Sequence, residues 1–295
     1  MTISEIATEF GISTALLTPF HGNGALHVPL FCAQAERMLS NGVQGVTLFG
    51  TTGEGASIGF DEREGAIRAM LASGVSPHAM TLGICACSVS DAAAQVAQGV
   101  GLGVTRFLLL PPFYFTDPDD DGLFAWHAQL FETVDKSARF ILYHIPQITG
   151  IPLSLDLIMR LHAAFAERVF AIKDSAGSWE NTHALLRAGA LPVLVGDERL
   201  LHRALPLGAA GSICGMANLF PQRMRALFDT HAEDAALSAD VGLIVSTPVV
   251  PALKHAMVVS TGNEDWANLR APLVPLKANQ RAVIAERFCA RSAAQ

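Results

Sequence analysis

A chain of 295 residues with 51% hydrophobic and only 16% charged side chains fits one large α/β domain, or a barrel with a small extension, better than two full domains. The net charge of −7 and the lack of a basic block argue against a nucleic-acid-binding protein. No apolar run of about 18 residues is free of proline and charge, which argues against a membrane-spanning segment. Residues 1–10 have no basic region followed by an apolar one, so no signal peptide is expected.

The five cysteines are odd in number, and neither they nor the ten histidines show metal-ligand spacing. Free thiols in a reducing cytosol are the simplest explanation. We therefore predict a cytoplasmic protein without a metal site. The high hydrophobic fraction further predicts a large core, extensive subunit contacts, or both.

Short runs rich in β-forming residues recur along the chain, and each is followed by a segment with helical periodicity. The predicted strands cover residues 12–17, 45–49, 79–84, 106–110, 140–143, 169–173, 192–195 and 210–214. The predicted helices cover residues 30–40, 60–72, 91–102, 122–136, 155–165, 179–187 and 198–205. Strands that are almost continuously apolar are typical of parallel βαβ units.

Eight strands alternating with helices favour a (β/α)8 TIM barrel within residues 1–222. An open, doubly wound sheet is the alternative, but no Gly-x-Gly-x-x-Gly pattern follows the first predicted strand to support a dinucleotide site. Beyond about residue 222 the pattern is helical and contains no further strand. We therefore predict a C-terminal helical extension, residues 223–295, packed on the barrel.

Catalytic groups of such barrels collect at the carboxyl ends of the strands. Lys173 ends the sixth predicted strand and Tyr143 ends the fifth. Residues 50–54 follow the second strand, residues 111–114 the fourth, and residues 196–198 the seventh. We expect these five groups to face one cavity.

Lys173 is one of only four lysines and stands at the end of an apolar run. A buried ammonium is costly unless its pKa falls and the amine becomes neutral, and a neutral lysine forms Schiff bases with ketones. A strand-end lysine that reaches water is the alternative. The other lysines, Lys136, Lys254 and Lys277, lie in polar or amphipathic stretches and are expected to be solvated.

The segment Gly-Thr-Thr-Gly-Glu at residues 50–54 offers the hydroxyls of Thr51 and Thr52 and several unhindered backbone N–H groups. This combination suits a carboxylate, although an ordinary Gly-rich turn with threonine caps has the same pattern. Both tyrosines of the chain, Tyr114 and Tyr143, fall at predicted strand ends. A phenol near a neutral lysine can relay protons. The alternative is that both tyrosines are amphipathic residues at the rim of the core.

Two acidic residues, Asp197 and Glu198, follow the seventh predicted strand. They could accept hydrogen bonds from substrate hydroxyls, or they could cap the next helix. His144 is adjacent to Tyr143, but strand alternation turns it to the other side of the sheet. We expect His144 to be structural.

Three segments together resemble the dihydrodipicolinate synthase/N-acetylneuraminate lyase family in order and spacing. They are residues 50–54, Tyr-His-Ile-Pro at 143–146 with Thr-Gly at 149–150, and Ile-Lys-Asp-Ser-Ala-Gly at 172–177. Residues 15–20 and 251–255 are similar as well. The resemblance implies a (β/α)8 barrel with a helical C-terminal extension, usually a tetramer of two dimers, that acts as a pyruvate-dependent class I aldolase or related dehydratase.

The resemblance also implies roles for single residues. Lys173 would form the Schiff base, and Tyr143 would shuttle protons at the imine and at the bond being made or broken. Tyr114 corresponds to a tyrosine that crosses a dimer interface and completes a Thr–Tyr–Tyr relay, here with Thr51 and Tyr143. The substrates would be a small 2-oxo acid and an aldehyde, with no metal or organic cofactor.

For the pyruvate carboxylate, the resemblance implies a site made by Gly50, Thr51 and Thr52, framed by the backbone at Ile213. One position departs from true synthases: Ile148 stands where they carry an arginine that contacts the carboxylate of aspartate semialdehyde. An aliphatic side chain cannot make that bidentate contact.

Three residues suit a hydroxylated substrate better. Asp197 and Glu198 resemble the pair with which sialic acid lyases hold a polyhydroxylated tail, and Ser175 adds a hydroxyl. We therefore predict an aldolase or lyase that acts on a sugar-acid-like 2-oxo acid. The alternatives are dihydrodipicolinate synthesis for lysine, a 2-keto-3-deoxy sugar acid dehydratase, and a catalytically silent carboxylate-binding member.

Overall fold

The computed structural model describes residues 10–292, in which eight parallel strands close into a barrel in chain order. The strands are β1 (Gly11–Ala15), β2 (Gly45–Leu48), β3 (Met80–Ile84), β4 (Arg106–Leu109), β5 (Arg139–His144), β6 (Val169–Asp174), β7 (Val193–Val195) and β8 (Gly211–Cys214). The prediction of a (β/α)8 TIM barrel is confirmed, and β1 pairs with β8, which an open sheet would not allow.

The barrel wall separates two buried clusters, because alternate strand residues point to opposite faces. One cluster fills the interior and includes Leu108, Ile141 and Ile213. The other packs the strands against the surrounding helices. At the amino end of the barrel, Phe10 stacks on Phe170 with ring centroids 5.3 Å apart. A packed interior leaves the carboxyl end as the open face.

A register shift between β5 and β6 decides which residues meet at this open end. Phe140 pairs with Val169, but the next residue, Ile141, pairs with Ala171, so Phe170 is an extra residue on β6. Such a bulge shifts every residue pair that follows it by one position along β6. As a result Tyr143 pairs with Lys173 instead of Ile172.

Helices connect the strands, and most begin at a side-chain cap. They are α1 (Val28–Ser40), α2 (Phe60–Ala72), α3 (Val89–Gly101), α4 (Asp120–Thr133), α5 (Pro146–Thr149), α6 (Leu155–Ala164), α7 (Trp179–Ala188), α8 (Glu198–Ala204) and α9 (Pro221–Thr230). Ser88 and Asp119 accept N–H hydrogen bonds at the starts of α3 and α4, so both helices begin earlier than predicted. Asp135 binds the N–H and hydroxyl of Ser137, and α4 ends before this turn.

Three helices follow α9: α10 (Ala235–Val245), α11 (Val249–Thr261) and α12 (Ala278–Ser292). The helix α11 packs against both α10 and α12, and α9 lies against β1. Between residues 10 and 292, no strand follows β8. In the same part of the chain, no helix is both long and apolar enough to cross a membrane.

Candidate active site

Lys173 and Tyr143 form a buried pair at the carboxyl end of the barrel. They are opposite one another on β6 and β5, with 4% and 2% of their surfaces exposed. The Lys173 Nζ atom lies 4.2 Å from the centroid of the Tyr143 ring. The structure thus places Lys173 inside the barrel, and not at the surface where a strand-end lysine would reach water. The ring of Tyr143 thus lies against the amine of Lys173, so that the two side chains can take part in the same chemistry.

A hydrogen-bonded network behind this pair holds the two strands together. His144 Nδ1 lies 3.0 Å from Asp174 Oδ1, and the Thr182 hydroxyl donates to Asp174 Oδ2 at 2.6 Å. Burial opposes ionisation of the Asp174 carboxyl, but hydrogen bonds from His144, Thr182 and the Ala176 N–H lower its pKa below the ordinary value. His144 therefore points away from Tyr143, as predicted, and its ring contacts Asp174.

The Gly50–Glu54 segment, the turn between β2 and α2, leaves its two hydroxyl residues partly accessible. Thr51 and Thr52 are half-buried, whereas Gly50 is buried. The Gly55 N–H donates to the Gly50 carbonyl at 3.1 Å and closes the turn. Hydroxyl and N–H groups in such a closed turn are suited to bind an anion.

Lys254 corrects the expectation that the remaining lysines are solvated. It is 1% exposed and forms an ion pair with the buried carboxylate of Glu54. Burial lowers the pKa of the Lys254 ammonium, and the charge of Glu54 opposes this shift. The sequence contains a signal for this site, because Lys254 is one of only four lysines and lies within the apolar α11. By contrast, Lys136 and Lys277 are exposed, as predicted.

The two acidic residues after β7 have different environments. Asp197 caps α8 by accepting the N–H of Arg199 at 3.1 Å, and both of its oxygens receive the Arg199 guanidinium at 2.9 and 2.7 Å. The capping alternative for Asp197 is thus present in the structure. A carboxylate held by its own arginine has little capacity left for a substrate hydroxyl.

Glu198 is buried, and its Oε1 accepts the N–H of Met216 at 2.9 Å, in the segment after β8. Burial raises the pKa of the Glu198 carboxyl above its ordinary value. The Met216 hydrogen bond and the positive charge of Lys173 oppose that rise. Glu198 therefore lies within electrostatic range of Lys173, on the β7–β8 side of the barrel end.

Ser175 directly follows β6, and Ile213 lies near the carboxyl end of β8. The Ser175 N–H donates to the His144 carbonyl at 2.8 Å, and its hydroxyl packs on Gly196, where a Cβ atom would approach Ser175 Oγ to 1.9 Å. The Ile213 side chain is 2% exposed and belongs to the interior cluster. Ser175 thus borders the site, and Ile213 lines the barrel beneath it.

Two predicted site residues lie apart from the buried pair in the single chain. Tyr114 is 77% exposed, on the loop between β4 and α4, and packs edge-on against Phe115 at 5.4 Å between ring centroids. Ile148 is 63% exposed on α5. The expectation that five strand-end groups face one cavity therefore fails for Tyr114, because its loop carries the side chain outward. Ile148 lies at the mouth of the barrel.

Comparisons with known proteins agree over almost the whole chain. The profile of the Dihydrodipicolinate synthetase family matches residues 9–288. An uncharacterized DapA-like lyase of Chloroflexus aurantiacus is 34% identical over 95% of this chain and 96% of its own length. A 4-hydroxy-tetrahydrodipicolinate synthase of Xanthomonas axonopodis pv. citri is 31% identical over 91% of this chain and 90% of its own. A crystal structure of dihydrodipicolinate synthase from Agrobacterium tumefaciens superimposes with a TM-score of 0.92 and 41% identity, covering 95% of this chain and 99% of the other.

Proposed function

Because the chain belongs to the dihydrodipicolinate synthetase family and is a lyase of that family, we propose that it is a Schiff-base-forming, pyruvate-dependent aldolase. Its substrate is a hydroxylated, sugar-acid-like 2-oxo acid, of which it cleaves or forms a carbon–carbon bond. The observation that carries the proposal is the buried Lys173, whose Nζ atom lies 4.2 Å from the centroid of the Tyr143 ring. A buried lysine beside a phenol has the two groups that imine chemistry requires.

The reaction begins when the neutral amine of Lys173 attacks the C2 carbonyl. The phenol of Tyr143 donates the proton with which the C2 hydroxyl leaves as water, which gives a cationic imine and a Tyr143 phenolate. The phenolate, in its relay with Thr51, then accepts the proton of the C4 hydroxyl. The electron pair of the C3–C4 bond moves into the imine as an enamine, and C4 leaves as an aldehyde. Protonation at C3 and hydrolysis of the imine then release pyruvate and free Lys173.

We assign the pyruvate carboxylate to Gly50, Thr51 and Thr52, beside the backbone of Ile213. Two half-buried threonines in a turn closed by a backbone hydrogen bond support this assignment. The exposure of Tyr114 supports a role in assembly, since a neighbouring copy in a homotetramer would cover it and receive its phenol. The proposed mechanism requires neither a metal nor an organic cofactor.

The substrate tail is assigned to the β7–β8 side of the barrel end. Glu198, with its raised pKa, and the Ser175 hydroxyl support recognition of hydroxyl groups there. Asp197 contributes indirectly, because its hydrogen bonds to Arg199 hold the start of α8. The second candidate function is 4-hydroxy-tetrahydrodipicolinate synthesis, favoured by the name of the Xanthomonas relative.

Borohydride reduction tests the proposed chemistry directly. Treating the protein with borohydride and pyruvate should reduce the imine and add a reduced pyruvyl group to the peptide that contains Lys173, as seen by peptide mass spectrometry. The same treatment without pyruvate is the control. A protein that gains no adduct at saturating pyruvate would contradict the Schiff-base assignment.

The exposed Ile148 distinguishes the two candidate functions. We expect the wild-type protein to turn over aspartate semialdehyde slowly, because Ile148 cannot pair with its carboxylate. Ile148→Arg should raise kcat/KM for this aldehyde by about 10- to 100-fold through a bidentate contact.

The matched control for this change is Ile148→Met, which alters size without adding charge. A panel of aldehydes assayed with pyruvate measures the preference of each protein. Rapid turnover of aspartate semialdehyde by the wild-type protein would favour the synthase function and contradict the inference from Ile148.

A further inference from the structure

A buried ion pair joins the Gly50–Glu54 turn to the C-terminal helices. The Glu54 and Lys254 side chains are 0% and 1% exposed, and the carboxylate contacts the ammonium directly. The Lys254 ammonium also donates to the Asn268 carbonyl at 2.7 Å and lies 4.4 Å from the centroid of the Phe20 ring. Because neither charge reaches water, each depends on the other for compensation.

The backbone of Glu54 adopts a conformation that its side-chain contacts must maintain. Its φ angle is 55°, in the left-handed region that non-glycine residues rarely occupy. The Glu54 N–H donates to the Thr51 carbonyl at 3.1 Å, which ties this conformation to the hydroxyl-bearing part of the turn. Its second carboxylate oxygen accepts the N–H of Arg270 at 3.1 Å, from the segment after α11. Surrounding structure of this kind is what keeps an unfavourable backbone conformation in place.

The residue next to Lys254 also reaches this region. A Cβ atom on Gly215 would approach Leu253 Cδ1 to 2.9 Å and Thr52 Cγ2 to 3.9 Å, so both side chains border the same glycine. The helix α11 thus contacts the loop after β8 through Leu253 and the Gly50–Glu54 turn through Lys254. Lys254 therefore contacts the turn directly, and Leu253 contacts the glycine that lies beside Thr52.

We propose that Glu54 and Lys254 are positioning residues that hold Thr51 and Thr52 in the arrangement that binds the pyruvate carboxylate. The C-terminal helices then form part of the substrate site without touching the substrate. This inference rests on the proposed function, because it assumes that the turn binds pyruvate. Donors that must converge on one carboxylate are sensitive to small displacements, and a shift of about 1 Å can cost on the order of 100-fold.

The test compares Glu54→Gln, Lys254→Met and the double variant with the wild-type protein. We measure the pyruvate concentration that gives half-maximal borohydride labelling of Lys173, together with kcat and KM for pyruvate. Each single variant should raise the half-saturating concentration by about 10- to 100-fold. Labelling at saturating pyruvate should still be complete, because the Lys173–Tyr143 pair is unchanged. A purely structural defect would lower the labelled fraction instead.

The double variant keeps the test decisive if a single variant fails to fold, because it leaves no unpaired buried charge. It should fold and still bind pyruvate more weakly. Glu62→Gln is the matched control. The Glu62 carboxylate accepts a hydrogen bond from the Arg270 guanidinium at 2.7 Å, so it also contacts the C-terminal segment, but Glu62 lies outside the turn. It should leave half-saturation within about twofold of the wild-type value.

Two outcomes would overturn the inference, and they are separable from failure of the proposed function. Unchanged half-saturation in folded Lys254→Met, or an equal rise in Glu62→Gln, would contradict the positioning assignment alone. A wild-type protein that forms no adduct with pyruvate would contradict the proposed function and, with it, the positioning of a pyruvate site.

Discussion

Replacing Lys173 with arginine is expected to abolish pyruvate labelling and to lower kcat by about 10⁴-fold or more. An arginine guanidinium stays protonated in proteins, so it has no free electron pair with which to attack a carbonyl. A long basic side chain is kept beside Tyr143, and the change therefore removes mainly the nucleophilic amine. Steady-state kinetics and peptide mass spectrometry after borohydride treatment measure both effects.

The control for this variant is Lys277→Arg, the same chemical change at an exposed lysine. Its labelling by pyruvate and its kcat should equal those of the wild-type protein. Lys254 is the other amine to examine for an adduct, because it is a second buried lysine. An adduct found on Lys254, or labelling that persists in Lys173→Arg, would show that the reactive amine has been misassigned. Urea unfolding of the variant verifies that the barrel remains folded.

Tyr143→Phe is expected to lower kcat by about 10²- to 10⁴-fold, the usual range for loss of a group that transfers protons. The phenyl ring keeps its place against Lys173, since only the hydroxyl oxygen is removed. Pyruvate half-saturation should therefore change by less than about threefold, because ground-state binding does not depend on the proton relay. The expected signature is a large loss of kcat with little change in KM for pyruvate.

Half-maximal borohydride labelling of Lys173 gives the pyruvate affinity of this variant independently of turnover. If Tyr143→Phe weakened labelling as strongly as turnover, Tyr143 would act in binding and not in proton transfer. A fall in kcat of less than about threefold would remove Tyr143 from the relay altogether.

Lys173→Arg, Tyr143→Phe and the variants of the Glu54–Lys254 pair test three separate functions within one small region. We expect Lys173 to control whether an adduct forms, Tyr143 to control how fast the adduct is processed, and the Glu54–Lys254 pair to control the pyruvate concentration that is needed. These effects appear in different measurements. Agreement of all three with expectation would support a division of labour between the barrel strands and the C-terminal helices.

Local patterns in the chain are sufficient to predict the strands, most helices and the two central side chains. Each strand is a short apolar run, and the carboxyl end of such a run can be read without knowing its neighbours. Lys173 and Tyr143 stand at such ends, and the structure places them together. His144 is predicted to be structural for the same reason, because alternation along a strand is a local property.

Contacts between distant segments are not visible in the same way. Lys254 was wrongly predicted to be solvated. Its partner, Glu54, is 200 residues away in the chain, so no local pattern connects the two residues. Asp197 is a second, local case: its sequence context is compatible with both a substrate contact and a helix cap, and the structure shows the cap together with an ion pair to Arg199. Tyr114 illustrates a third case, since a loop between a strand and a helix can point its side chain away from the barrel.

By itself, the sequence determined the barrel class and the identity of the lysine and the phenol at its open end, because periodicity and strand ends are local features. Only the tertiary structure decided that they face each other. The extra residue Phe170 shifts the register of β6 against β5 and brings Tyr143 opposite Lys173. Pairing across a sheet is set by the packing of both strands in the closed barrel, and no single segment of the chain contains that information.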